Sequence, residues 1–248
     1  MTTAGGAQDQ AQRSRLVSRR TLLVGGAAAL AVGAAGTEIG NLATSGSTVT
    51  SSSTPPDVDL MEEHGVLKRV LLIYQEALRR LDGQQPPPVD AIHDGALIIH
   101  DFIEGFHEPL EEGYVFPRLR SAGQLTGTID TLLLQHARGR ERTQIILAGA
   151  TAQGMATSST RQQVAGAMTA FIAMYEPHEA REDTVVFPAF RALLTTEQLD
   201  GMAATFADLQ RRQFGPAAFA AMVRHVATIE QSLGIYELDQ FTPPAVAP

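Results

Sequence analysis

His107-Glu108-Pro109-Leu110-Glu111-Glu112-Gly113-Tyr114-Val115-Phe116-Pro117 and His178-Glu179-Ala180-Arg181-Glu182-Asp183-Thr184-Val185-Val186-Phe187-Pro188 are two copies of one pattern. Each begins with His and holds Glu one residue on, Glu four on, an acid five on, and Phe-Pro nine and ten on. On an α-helix a residue four later lies on the same face, one turn along. His107 with Glu111, and His178 with Glu182, therefore each point an imidazole and a carboxylate the same way.

The sequence around these copies reads as helix. Leu60, Val66, Leu67, Val70, Leu71, Tyr74, Leu78 and Leu81 recur at steps of three and four. They mark an amphipathic helix from about Asp59 to Leu81, stopped by Asp82-Gly83 and Pro86-Pro87-Pro88. A second helix is expected over about 89–112, ended by Gly113, with Phe116-Pro117 turning the chain. A third covers about 127–150, and a fourth about 159–183, ending in Phe187-Pro188. Two more follow, over about 197–212 and 216–233, separated by Gly215-Pro216 and closed by Gly234. No stretch alternates as a strand does. The expected fold is all-α: an antiparallel four-helix bundle over 59–194 with an appended C-terminal helical pair and tail over 195–248.

The other two long helices each offer a histidine, His64 near the start of the first and His136 in the first half of the third. In an up-down-up-down bundle the start of helix one lies level with the ends of helices two and four. His64, His107, His136 and His178, with Glu111 and Glu182, are thus expected to converge at one end of the core. Six donors exceed what one tetrahedral ion takes; two ions bridged by Glu111 and Glu182 fit the count. Imidazole with carboxylate suits iron, manganese or zinc. A lone His with Glu four later is an ordinary surface pair; two copies, with a His on each remaining helix, are not.

Glu63-His64, His107 with Glu111, Gln135-His136 and His178 with Glu182, each pair followed by Phe-Pro in the two copies, resemble the hemerythrin family, specifically its bacterial His-His-Glu cation-binding branch, over roughly 60–194. The resemblance implies a hemerythrin-like bundle with a non-haem di-iron centre. His64, His107, His136 and His178 would be terminal ligands, and Glu111 and Glu182 bridges. It implies a protein that binds dioxygen or a related small ligand such as nitric oxide or peroxide. There is one departure. Oxygen-carrying hemerythrins place two histidines four apart on the third helix, whereas here His136 has Leu132 before it and Arg140 after it. One metal position lacks an imidazole, which favours chemistry at the metal, or Glu108 or Glu179 fills the place. Two other readings stay open: an iron-responsive structural or interaction module, and an exported di-iron oxidase or peroxidase. The last fits less well, because a ferritin-like site wants two Glu-x-x-His pairs and only Glu104 to His107 matches.

His93, His100 and His107 are spaced by seven, and His100 with Glu104 repeats the four-residue step. These are candidates for groups that orient the ligands, although ordinary polar pairs deeper in the helix interface are the simpler reading. Tyr175, one turn before His178, is a core aromatic with a hydroxyl near the site. His225 receives no role. Pro109 removes a backbone donor opposite the Gly105 carbonyl, and a local distortion is expected there.

Composition limits the functions further. The 248 residues carry no Cys, which excludes disulfides, thiolate zinc sites, iron–sulfur clusters and a catalytic thiol. The formal charge is −8. Arg13, Arg15, Arg19 and Arg20 face only Asp9 and Glu38 within 1–40, so the remainder is more acidic still. Such a domain lacks the basic face that nucleic acid requires. Ser18-Arg19-Arg20-Thr21-Leu22-Leu23, followed by an Ala/Gly-rich apolar run to Ala35, resembles a twin-arginine export signal. Export across the membrane is expected, with tethering to it if the segment is retained. Residues 41–58 read as a Ser/Thr/Pro linker. No flavin, nicotinamide or phosphate-loop fingerprint is present. The redox partner is not encoded in any motif.

Overall fold

The computed structural model describes residues 54–246. The twin-arginine stretch, the apolar run after it and the expected linker up to residue 53 lie outside the described residues, and the linker's expected end at 58 is corrected, because residues 56–58 are already helical. Within them the regular structure is entirely helical, and no strand occurs.

Helix α1 spans Pro56–Asp82. It opens on Pro56, whose missing N–H costs nothing in a first turn. Asp57 and Asp59 in the first turn and Arg79 and Arg80 in the last complement the helix dipole. Its predicted apolar face is buried from Leu60 to Tyr74, while Leu78 and Leu81 are partly covered. Helix α2 runs over residues 89–121, α3 over Thr126–Gly149, α4 over residues 158–192, α5 over Thr196–Phe214 and α6 over Ala218–Leu233. Helix α4 starts on a Thr157 hydroxyl cap, and α5 on a reciprocal Thr195–Gln198 capping box.

Two expected helix ends are corrected. Neither Gly113 with Phe116-Pro117 nor Phe187-Pro188 stops its helix. The chain instead widens into π-turns at Glu111–Val115 and Glu182–Val186 and continues helical to Ser121 and Ala192. The Phe116 N–H reaches back five residues to the Glu111 carbonyl, and the Phe187 N–H does the same to Glu182. Each proline then enters at the start of the next α segment, where a helix tolerates it. The distortion expected near Pro109 takes a related form: a π-helical stretch, Ile99–His107, precedes it. The Gly105 carbonyl that Pro109 cannot serve accepts a hydrogen bond from Gln213 Nε2 on α5, at 3.1 Å.

Helix α1 packs on α2 and α4, and α3 packs on α2 and α4, with their apolar faces forming one core. Helix α6 lies against α1 and α2. Arg69 of α1 holds it through Glu230 at 3.0 and 2.5 Å, and Arg80 donates to the Leu233 carbonyl at 2.7 Å. Helix α5 meets α1, and its buried Phe206 stands edge-on to Tyr114.

A buried cluster of four histidines and two glutamates

The two repeats bring their His–Glu pairs to the places where α2 and α4 widen. His64, His107, His136, His178, Glu111 and Glu182 are all buried, the most accessible being His178 at 4%. They fall into two groups. His64, His107 and Glu111 offer donor atoms within 4.8 Å of one another, and so do His136, His178 and Glu182. The carboxylates link the groups. Glu111 lies 3.6 Å from His107 Nε2 and 3.4 Å from His136 Nε2. Glu182 lies 3.1 Å from His178 Nε2 and 3.5 Å from His64 Nε2.

Each imidazole is aimed by a contact at its other nitrogen. His64 Nδ1 meets Asp183 at 2.7 Å, His107 Nδ1 meets Glu63 at 2.9 Å, His136 Nδ1 meets Glu112 at 2.9 Å and His178 Nδ1 meets Gln135 at 2.9 Å. An acceptor at Nδ1 fixes the proton there and leaves the Nε2 lone pair pointing inward. The four braces close a ring: α1 holds the α2 histidine, α2 that of α3, α3 that of α4, and α4 that of α1. Each bracing residue is the immediate sequence neighbour of a ligand-type residue and serves a different helix. Phe116 and Phe187, the aromatics of the two Phe-Pro steps, stack on His136 and His64 with interplanar angles of 26° and 23°.

All four oxygens of Glu111 and Glu182 are buried without a hydrogen-bond donor, as is His136 Nε2. Leaving such groups unpaired in a core costs several kcal/mol, roughly 1–3 for each. A cation between the donors removes that cost. Two ligands each about 2.1 Å from one ion stand ~3.0–3.4 Å apart at angles near a right angle or slightly above. The observed 3.1–3.6 Å lies at or slightly beyond that spacing. These buried His/Glu groups could therefore hold metal. Where a proton takes the cation's place, burial disfavours charge on His64, yet its hydrogen bond to Asp183 and the nearby Glu182 carboxylate raise it to about 9. Burial likewise opposes the charge on Glu182, and His178 and His64 outweigh it, holding that carboxyl far below its ordinary range.

The neighbouring groups divide clearly. Glu108 is buried but engaged: the Tyr175 hydroxyl donates to it at 2.7 Å and Arg140 sits 2.5 Å away. Arg140 also pairs with Glu112 at 2.7 Å. Glu108, Glu112 and His136 thus form a close group whose carboxylates already carry a cation. Glu179 is buried with one oxygen unpaired, but it joins neither donor group. Leu132 is buried and offers no donor. His93 and His100 are corrected outright: they orient nothing and are not interior pairs. They are 39% and 46% exposed beside Asp94 and Asp101, and the π-helical turns between Ile99 and His107 put both out of phase with His107, so a spacing of seven no longer means a shared face. Glu104 does lie inside, and burial lifts its carboxyl to about 7. The braces Glu63, Glu112, Gln135 and Asp183 escaped assignment from sequence, although their position beside each ligand was a visible signal.

The chain is 52% identical over 190 residues to the uncharacterized protein Rv1995 of Mycobacterium tuberculosis, covering 77% of this chain and 74% of that one. The same identity and coverage hold for the uncharacterized protein Mb2018 of Mycobacterium bovis. No protein-family profile matches the chain, and no solved structure does.

Proposed function

This chain belongs to the family of these mycobacterial proteins, and we propose that it is a hemerythrin-like, antiparallel four-helix bundle holding two non-haem iron ions that bind dioxygen or a related small ligand, nitric oxide or peroxide. The observation that carries the reading is the set of four buried, hydrogen-bond-free oxygens of Glu111 and Glu182, faced by four imidazole Nε2 atoms. Nitrogen and oxygen donors without thiolate suit iron, with manganese or zinc as competitors. The short links between α1 and α4 and the contact of each with two of the others support the bundle. Bound ferrous iron would supply the electrons that reduce a small oxidant. The chain's own part is to aim the imidazoles through their braces, to cover two of them with Phe116 and Phe187, and to keep bulk water from the carboxylates.

Export by the twin-arginine route belongs to the same reading and rests on Arg19-Arg20 and the apolar run behind them. Among the described residues no helix is long and apolar enough to cross a membrane. The closed ring of braces favours a second role beside ligand binding: metal would tie four helices at one level and stabilise the domain.

Native protein from the cell envelope should contain about two iron ions per chain and gain a visible charge-transfer band on oxygenation. Protein that is fully helical, takes up no metal when incubated with ferrous iron without oxygen, and shows no metal-dependent gain in melting temperature would overturn the proposal.

A further inference from the structure

The cluster is nearly two-fold in its parts. The first repeat supplies His107 and Glu111, braces His136 with Glu112 and covers it with Phe116. The second supplies His178 and Glu182, braces His64 with Asp183 and covers it with Phe187. The remaining braces are the residues just before His64 and His136, and here the symmetry breaks. Glu63 holds His107, but a neutral amide, Gln135, holds His178. The surrounding charges lean the same way. Near His64 and His107 stand two carboxylates, Asp183 and Glu63, against the half-exposed Lys68. Near His136 and His178 stand Glu112 and Glu108, both already paired with Arg140. An anionic acceptor at Nδ1 makes an imidazole a stronger donor, and removing such a partner typically weakens metal binding about 10–100-fold.

A second observation marks the same side. A solvent-open pocket of about 340 Å³ is lined by Gln135 and His178 themselves, with Thr131, Leu132 and Arg181. It meets His178 on its braced side: Leu132 lies in the wall one turn before His136, and none of His136, Glu111 and Glu182 lines it.

We propose that the two metal positions are unequal, the one between His136 and His178 being the weaker and the one that exchanges more readily, its brace lying beside this solvent-open pocket, and that Gln135 is the positioning residue that makes it so. The inference rests on the dinuclear reading above and concerns how that centre loads. The ion between His64 and His107 binds first and is retained. The other follows, and it is the one a chelator removes and an outside ligand reaches.

The test is anaerobic titration of the metal-free full chain with ferrous iron, followed by calorimetry and by metal counting after brief exposure to a chelator. Two steps are expected, separated by tenfold or more, with one ion left after chelation. Gln135→Glu should tighten the weaker step about tenfold and leave the stronger one in place. Glu63→Gln should weaken the stronger step until the two merge. His178→Ala should delete the weaker step alone, with helicity checked by circular dichroism. Two equal steps in the native chain, or a Gln135→Glu effect absent or shared by both steps, overturns this inference and leaves the dinuclear centre standing. Absence of any uptake removes both.

Discussion

The two glutamates are where a single atom change says most. Glu111→Gln or Glu182→Gln keeps the shape but replaces one anionic oxygen with an amide that cannot bridge two cations. Bound metal should fall from about two ions per chain to one or fewer, with helix content unchanged; unaltered metal content would remove these carboxylates from the ligand set. Gly139 is a second residue-scale test. A methyl group there would lie 2.2 Å from the Tyr175 hydroxyl oxygen and 2.8 Å from a ring carbon. Tyr175 is fully packed and tied to Glu108, so it has nowhere to retreat. Gly139→Ala should cost about 1–3 kcal/mol in urea denaturation. Adding Tyr175→Phe should restore part of that loss, since the worst contact is with the hydroxyl. A Gly139→Ala protein as stable as the native one would mean the tyrosine is not held there.

At the scale of elements, the π-turns explain why the Phe-Pro steps continue their helices. A wide turn adds a residue to the helical circuit and so rotates everything after it. That rotation brings Phe116 and Phe187 flat onto histidines of neighbouring helices. The C-terminal helices also bear on the site: Gln210 of α5 donates to Glu63 at 3.3 Å, behind the His107 brace. Helix α6, by contrast, is docked through Arg69 and Glu230, and Glu230 belongs to neither donor group of the cluster. Glu230→Ala strands a partly buried guanidinium and should lower stability by about 1–3 kcal/mol. Metal content should stay constant across that change, and its loss would show that α6 governs the site.

The whole molecule carries several acids that its interior prefers neutral. Burial raises Glu104 and Glu179 to about 7, and burial with Glu63 and Glu62 nearby raises Asp59 to about 7. A folded value above the unfolded one means stability that is complete below the ordinary carboxylate range and is lost as pH rises through about 7. His64, raised to about 9, acts in the same direction, its contribution fading as pH climbs from its ordinary value past 9. Asp183 acts oppositely: burial works against its charge, but the His64 bond holds it low, so its contribution is lost only on strong acidification. Metal-free protein should therefore be more stable in denaturant at pH 5.5 than at pH 8. The loss is at most about 1.4 kcal/mol per pH unit for each of these groups within its range, and less for the partly exposed Asp59. Glu104→Gln should flatten that slope, and a slope rising with pH would contradict it. Added divalent metal should restore stability at the alkaline end, where fewer protons compete with the ion for the buried donors.

The all-helical fold was legible in the chain because burying one face of a helix requires apolar residues at steps of three and four, and Leu60 to Tyr74 write that period openly. The six donors were legible for a related reason: four-residue spacing fixes a shared face within one helix, and a repeated pattern with a histidine on each of the other helices points to one meeting place. Both are local statements, which sequence determines by itself. The braces, the stacking of Phe116 and Phe187, and the surface position of His93 and His100 depend on contacts between helices and on one extra residue per wide turn. A π-turn shifts the face that every later residue presents, and no three- or four-residue period encodes that shift. Tertiary packing alone decided that Glu63 serves the histidine of α2 and Gln135 that of α4, because a side chain's nearest partner across a helix interface is set by rotation and register.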